Sequence, residues 1–173
     1  QPLVIGGRRL KGSIDRIDQR GDEVLILDFK TSETAKKPEE AHLSKLSART
    51  AGEIEGWRTH ANAGGRVCRW TDLQLPLYVR AWSLRHRGPV RAGYFHLPTN
   101  VQETRISIWE TLDQAALDAA LLCAEEAVSR LGRRIHWPPD DDVRYDDFAG
   151  LFGGNAVEDA VDASEILKQE VAG

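Results

Sequence analysis

The sequence predicts a mixed α/β domain, an α+β arrangement built on a mixed sheet. Three observations carry that class. Runs rich in Val, Ile, Leu and Phe occupy residues 23–30, 90–97 and 103–109. Apolar residues recur at helical spacing in DLQLPLYVRAWSLRHRGP and again in residues 112–130. The resulting order is strand, strand, long connection, helix, strand, strand, helix, and the short turn after the first strand makes the leading pair antiparallel.

The first strand is expected over residues 3–19, with a break at Gly6-Gly7, and the second over 23–30. Residues 31–70 follow without a strong period. A short helix is expected over 38–48 inside them, and Gly64-Gly65 marks a loop. A connection of that length in a compact domain tends to be functional or mobile. In the next helix Leu77, Ala81 and Leu84 share a face, as do Tyr78 and Trp82, and Gly88-Pro89 ends it. Thr71 and Gln74 have the spacing of a capping box, but Pro76 belongs in a first turn, which sets the start at Leu73 to Leu75. The last helix, 112–130, has Thr111 and Gln114 as its capping box, Leu117, Leu121, Ala124 and Val128 on one face, and Gly132 to end it. Phe148, Leu151 and Phe152 predict a docked tail, and DASEILKQEV a terminal helix. The domain is expected to span residues 1–152, with 153–173 as a C-terminal tail.

Composition excludes several classes. No apolar run approaches the roughly 20 residues needed to span a bilayer, and no signal-peptide pattern opens the chain, so no membrane partner and a cytoplasmic location are expected. The chain starts at Gln1 and contains no methionine, which reads as a fragment or a processed product. Cys68 and Cys123 form no C-x-x-C pair and are expected as inert thiols. The five histidines are scattered, none at zinc-ligand spacing. With a net charge of −4, any contact with nucleic acid must use a local patch. Arg66 and Arg69, beside the long connection, are candidates on charge alone.

The stretch GSIDRIDQRGDEVLILDFKTS concentrates the chemistry. With Gly21-Asp22 as the centre of a type II′ turn, Arg20 pairs with Glu23, Asp15 falls opposite Asp28, and Ser13 opposite Lys30. A turn at Arg20-Gly21 pairs Asp15 with Ile26 but leaves Asp15, Asp28 and Lys30 on one face, because side chains alternate with a period of two. The other face holds Leu10, Ile14, Leu25, Leu27 and Phe29, a good core face. The aspartate face keeps Ile17, Val24 and Ile26 and is expected to be partly covered. Asp18 points the other way, as a surface or turn residue. Facing carboxylates destabilise a sheet, and burial worsens this unless the charge is compensated. Lys30 can pair with one, the two can share a proton, or a hard divalent cation can bind between them. A structural Asp–Lys pair with the other aspartate in solvent is equally compatible with the hairpin alone.

GSIDRID, then DFK followed by Thr-Ser, then LQLPLY, in that order, resemble the PD-(D/E)XK nuclease superfamily, and most closely its RecB/AddB-like exonuclease branch. The resemblance implies a restriction-endonuclease-like core with an antiparallel catalytic hairpin, and hydrolysis of DNA phosphodiesters with Mg²⁺ or Mn²⁺ in repair or recombination. It implies Asp15 and Asp28 as metal ligands together with the Phe29 carbonyl, Lys30 as the catalytic lysine, and Gln74 and Tyr78 as a Q-x-x-x-Y element. In that element the glutamine reaches the active site and the tyrosine contacts DNA. DNA and a helicase subunit or domain are the implied partners. Two features depart from the branch. Its helix before the first strand, which supplies a His or Glu ligand, has no counterpart here. Two cysteines are also too few for the iron–sulfur cluster of some relatives, so none is expected. The alternative is a nuclease-like scaffold without activity that binds DNA or a helicase.

Overall fold

Gly21 adopts φ +59° while Asp22 stays at negative φ, the pattern of a turn with glycine first. It joins β3 (Arg16–Arg20) to β4 (Glu23–Lys30). The register runs from Arg20↔Glu23 to Arg16↔Leu27, as the turn count requires. The structure, a computed structural model, describes residues 2–46 and 54–135. The expected end of the first short helix at 48, the aromatic tail, the terminal helix and the 152/153 boundary all lie outside those residues.

The expected first strand is in fact three pieces. Gly6 and Gly7, at φ +53° and +75°, fold β1 (Val4–Ile5) back on β2 (Arg8–Arg9), and β3 begins only at Arg16. Within the long connection lie α1 (Pro38–His42), β5 (Leu43–Lys45), β6 (Thr59–Ala61) and β7 (Val67–Trp70). The last three form a small antiparallel sheet in the order β5-β7-β6. The single helix expected there therefore stops at His42 and gives way to a strand. Short strands broken by Gly and Asn turns leave no period long enough to read.

After α2 (Gln74–Ser83), β8 (Val90–His96) pairs parallel with β4, and β9 (Arg105–Ile108) pairs antiparallel with β8. The main sheet is thus mixed, in the order β3-β4-β8-β9. Parallel pairing needs a crossover, and here it contains α1, the small sheet and α2. The chain divides into two units, residues 1–126 and 127–173. Of the described residues, the first contains every strand, α1, α2 and most of α3 (Gln114–Gly132). In the second, α3 continues to Gly132, and the residue in left-handed conformation is Arg134, φ +60°, rather than the glycine. Ile135 N donates back to the Arg130 carbonyl at 2.9 Å. Among the described residues no helix is long and apolar enough to cross a membrane.

The core reverses the expected faces of β4. Val24, Ile26, Ala92 and Tyr94 join Leu75 and Val79 of α2 and Ala120 and Cys123 of α3 in one buried cluster. That is the aspartate face. On the other face Leu27 is buried, but Phe29 and Leu10 are 39% and 40% exposed, and Phe29 meets Phe95 edge to face. Val24, Leu25, Ile26 and Leu27 put apolar residues on both faces of β4, so alternation along it could not say which face was inner. On α3 the most buried residues are Ala116, Ala120, Cys123 and Ala124 rather than the leucines. The helix start is also capped differently: Asp113 Oδ1 accepts from Ala116 N at 2.9 Å, and Thr111 instead accepts from Trp109 Nε1. Cys68 and Cys123 are buried free thiols.

Gly93 sits where β8 and β9 approach most tightly. A Cβ there would lie 2.4 Å from the Ser107 carbonyl oxygen and 2.9 Å from Ile108 Cα. Both are backbone atoms inside a sheet and cannot rotate away. Gly93→Ala is expected to lose about 1–3 kcal/mol of stability, read as a lowered urea midpoint at unchanged slope.

Candidate active site

The ends of β4 and β8 gather the ionisable residues. Asp28 is 5% exposed, following Val24 and Ile26, both fully buried, on the same face. Its Oδ2 lies 2.7 Å from Lys30 Nζ. This buried oxygen has that ionic contact and, among the described residues, no hydrogen-bond partner. Lys30 is partly exposed and its ammonium lies 4.7 Å from the centre of the Tyr94 ring. The Lys30 carbonyl accepts from Leu97 N at 2.8 Å. The following loops are tied by Glu33, whose carboxylate accepts from the Thr99 hydroxyl and amide. Those bonds hold the Glu33 carboxyl below its ordinary range.

Asp15 lies one residue before β3, where the same register sets it level with Asp28. It is exposed, unlike Asp28, and its Oδ2 accepts from Phe29 N at 2.9 Å. The two carboxylates are thus fastened to adjacent positions of β4, one by an ion pair and one by a backbone amide. Asp18 pairs with Arg16 at the surface.

Gln74 and Tyr78 are one turn apart on α2 and share a face. Gln74 Nε2 donates to Tyr78 Oη at 3.1 Å, and Tyr78 donates in turn to the Ser13 carbonyl. Gly12 packs on that ring: a Cβ there would stand 3.3 Å from Tyr78 Cε1. The pair therefore braces the backbone just ahead of Asp15. Arg66 and Arg69 belong to the small sheet, Arg66 exposed at the β6–β7 turn and Arg69 in β7 between Ser44 and Thr59.

A family model of the PD-(D/E)XK nuclease superfamily matches residues 2–147. The chain belongs to that superfamily. No curated protein and no solved structure matches it. PD-(D/E)XK nucleases generally use divalent metals such as Mg²⁺, and the residues here fit such an ion. Among the described residues no three His, Cys, Asp or Glu side chains converge, but Mg²⁺ is commonly held through one or two carboxylates while keeping several waters. Asp28 Oδ2, buried and lacking a hydrogen-bond partner, is an acceptor that a hard cation satisfies.

Sequence reasoning missed the groups that aim α2. His42, fully buried at the end of α1, accepts from Leu75 N through Nε2 at 3.3 Å. Its Nδ1 therefore carries the proton and faces the Pro38 carbonyl and the Tyr94 hydroxyl, each at 3.0 Å. Asp72 Oδ1 accepts from Gln74 N at 2.7 Å, and Leu77 N bonds to the Leu73 carbonyl. Pro76 has no N–H. All three donors of the first turn are thus accounted for, and Thr71, freed from capping, donates to the Ala41 carbonyl. A single histidine in an aperiodic stretch gives no sequence signal for this. Only Asp72, two residues before Gln74, stands in a legible capping position.

Burial pushes the His42 imidazole below the ordinary histidine value, with Asp72 pulling the other way. Burial lowers His96 too, helped by Arg105 and Lys30. A histidine depressed in the folded state takes its proton first when unfolded, so its contribution is complete above about pH 6.5 and is lost as pH falls below that. Urea unfolding between pH 7.5 and 5.5 is expected to show stability falling with acidification. His42→Gln, less stable at pH 7.5, is expected to show a shallower fall. Parallel pH profiles in the two proteins would show that His42 stays neutral for no energetic reason.

Proposed function

We propose that this chain hydrolyses DNA phosphodiesters with Mg²⁺ or Mn²⁺, as an exonuclease of the RecB-like type acting in repair or recombination. The observation that carries the reading is Asp28: a buried carboxylate oxygen short of a hydrogen-bond partner, level with Asp15 and paired with Lys30. Desolvating a carboxylate costs several kcal/mol, and a purely structural hairpin has no use for it at this position. Asp15, Asp28 and the Phe29 carbonyl would hold the ion. When bound, it supplies Lewis acidity toward the phosphodiester and lowers the pKa of a coordinated water.

The protein's own groups do the rest. Lys30, mobile enough to be partly exposed yet tethered to Asp28, places a positive charge where phosphate oxygens gain negative charge. Gln74, fixed through Tyr78 to the Ser13 carbonyl, orients the lysine, the water or the phosphate. In the reaction the water oxygen bonds to phosphorus as the bridging P–O bond breaks, and a proton passes to the departing oxygen. Tyr78 lies at the edge where the strand would enter. Arg66 and Arg69 are proposed to guide the strand further out. A helicase subunit or domain is the partner suited to delivering an end.

End-labelled linear DNA incubated with Mg²⁺ or Mn²⁺ is expected to shorten progressively from its ends, and Asp28→Ala to slow this about a hundredfold or more. No cleavage by the wild type with either ion would leave the inactive scaffold. Calorimetric titration with Mn²⁺ is expected to show binding that Asp15→Ala weakens. Unchanged binding in that variant would remove Asp15 from the ligand set.

A further inference from the structure

His96, the last residue of β8, is 1% exposed, yet neither of its ring nitrogens has a hydrogen-bond partner among the described residues. Buried polar side chains are nearly always partnered, so such a group calls for an explanation. The ladder fixes where the ring stands. β4 and β8 pair Asp28 with Tyr94 and Lys30 with His96, and side chains alternate with a period of two. All four therefore share the face that carries the candidate site. The Tyr94 ring meets His96 edge to face, centroids 5.9 Å apart, and has the Lys30 ammonium 4.7 Å from its centre. Lys30 is thus set opposite His96 by the backbone but leans past Tyr94 to reach Asp28. Arg105 opposes His96 from β9. Burial, and then the charges of Arg105 and Lys30, hold the imidazole below its ordinary value. At neutral pH one ring nitrogen therefore keeps an open lone pair.

Metal binding at Asp28 gives that lone pair a use. Asp28 Oδ2 is both the oxygen short of a hydrogen bond and the one that Lys30 Nζ approaches at 2.7 Å. An ammonium and a divalent cation cannot both sit against one carboxylate oxygen without strong repulsion. Lys30 is partly exposed on a long, flexible stem, and its ammonium donors need an acceptor wherever it goes. Resting on the nuclease reading above, we infer that His96 is a positioning residue, which accepts a hydrogen bond from the Lys30 ammonium when Asp28 takes up its metal ion. Lys30 then has one station on Asp28 without the ion and another on His96 with it. The second keeps the positive charge beside the site instead of releasing it to solvent.

Calorimetric titration of the full chain with Mn²⁺ across a double-mutant cycle tests this without turnover. His96→Phe, which removes the acceptor, is expected to weaken Mn²⁺ binding about tenfold, and His96→Gln, which keeps one, to stay near the wild type. In a Lys30→Met background binding is expected to tighten, and His96→Phe to have no further effect. Nitrogen resonances of the His96 ring, which need no change at His96, provide the second readout. They are expected to move when Mg²⁺ is added to the wild type and to stay in place in Lys30→Met. Wild-type affinity in His96→Phe, equal weakening with and without Lys30, or resonances that Mg²⁺ leaves unmoved in a wild type that binds it would overturn the inference and leave metal binding at Asp28 standing. No Mn²⁺ binding by the wild type, or binding that Asp28→Ala leaves unchanged, would overturn the metal site itself and the role of His96 with it.

Discussion

Much of the structure is arranged around one buried carboxylate. Asp28 lies near the end of β4, buried behind Val24 and Ile26, and desolvation alone would make that position untenable. Lys30 at 2.7 Å supplies the nearest countercharge, and it can do so only because the strand is held straight to its last residue. Pairing with β8 through Lys30↔His96 and the Leu97 bond to the Lys30 carbonyl provide that hold. The Tyr94 ring closes the ammonium from the side. A buried ion pair adds little net stability, so the arrangement is better explained by keeping a negative charge at a fixed place than by strengthening the fold.

The long connection has its physical meaning in the same terms. It delivers His42, whose imidazole reaches the first turn of α2, the α1 backbone and the Tyr94 hydroxyl at once. Two helices, α1 and α2, are thereby tied to the sheet beside Asp28. Burial raises Tyr94 above its ordinary value, keeping its hydroxyl neutral and able to serve as the acceptor there. The orientation of Gln74 follows, since it is the first residue of the helix that His42 and Asp72 cap. Where α2 ends, the same economy of space recurs. Gly88 lies where any Cβ would collide with the Asp22 carbonyl, and Val24 N and the Pro89 carbonyl join the two turns at 2.9 Å. Helix, turn and the β3–β4 hairpin are coupled at both ends of α2.

Local chemistry made part of this legible. The glycine-first turn set a register that the structure keeps, because a two-residue hairpin admits few alternatives. Pro76 set the start of α2, and the segment order required a mixed sheet. The capping boxes at Thr71 and Thr111 did not form, because Asp72 and Asp113 stand nearer to the free amides and compete successfully for them. The inner face of β4 was read backwards, since Val24, Leu25, Ile26 and Leu27 put apolar residues on both faces and leave no alternation to read.

Sequence alone determined which residues could share a face: Asp15, Asp28 and Lys30 on the hairpin, Gln74 and Tyr78 on one helical turn. Period and turn geometry are local, and that is enough for such sets. Tertiary structure decided that this face is the buried one, that Asp28 and not Asp15 loses its water, and that α2 meets the hairpin through Ser13. It also placed His42, from far along the chain, at the first turn of α2. Burial and long-range hydrogen bonds depend on what packs above a residue, and no spacing along the chain encodes that.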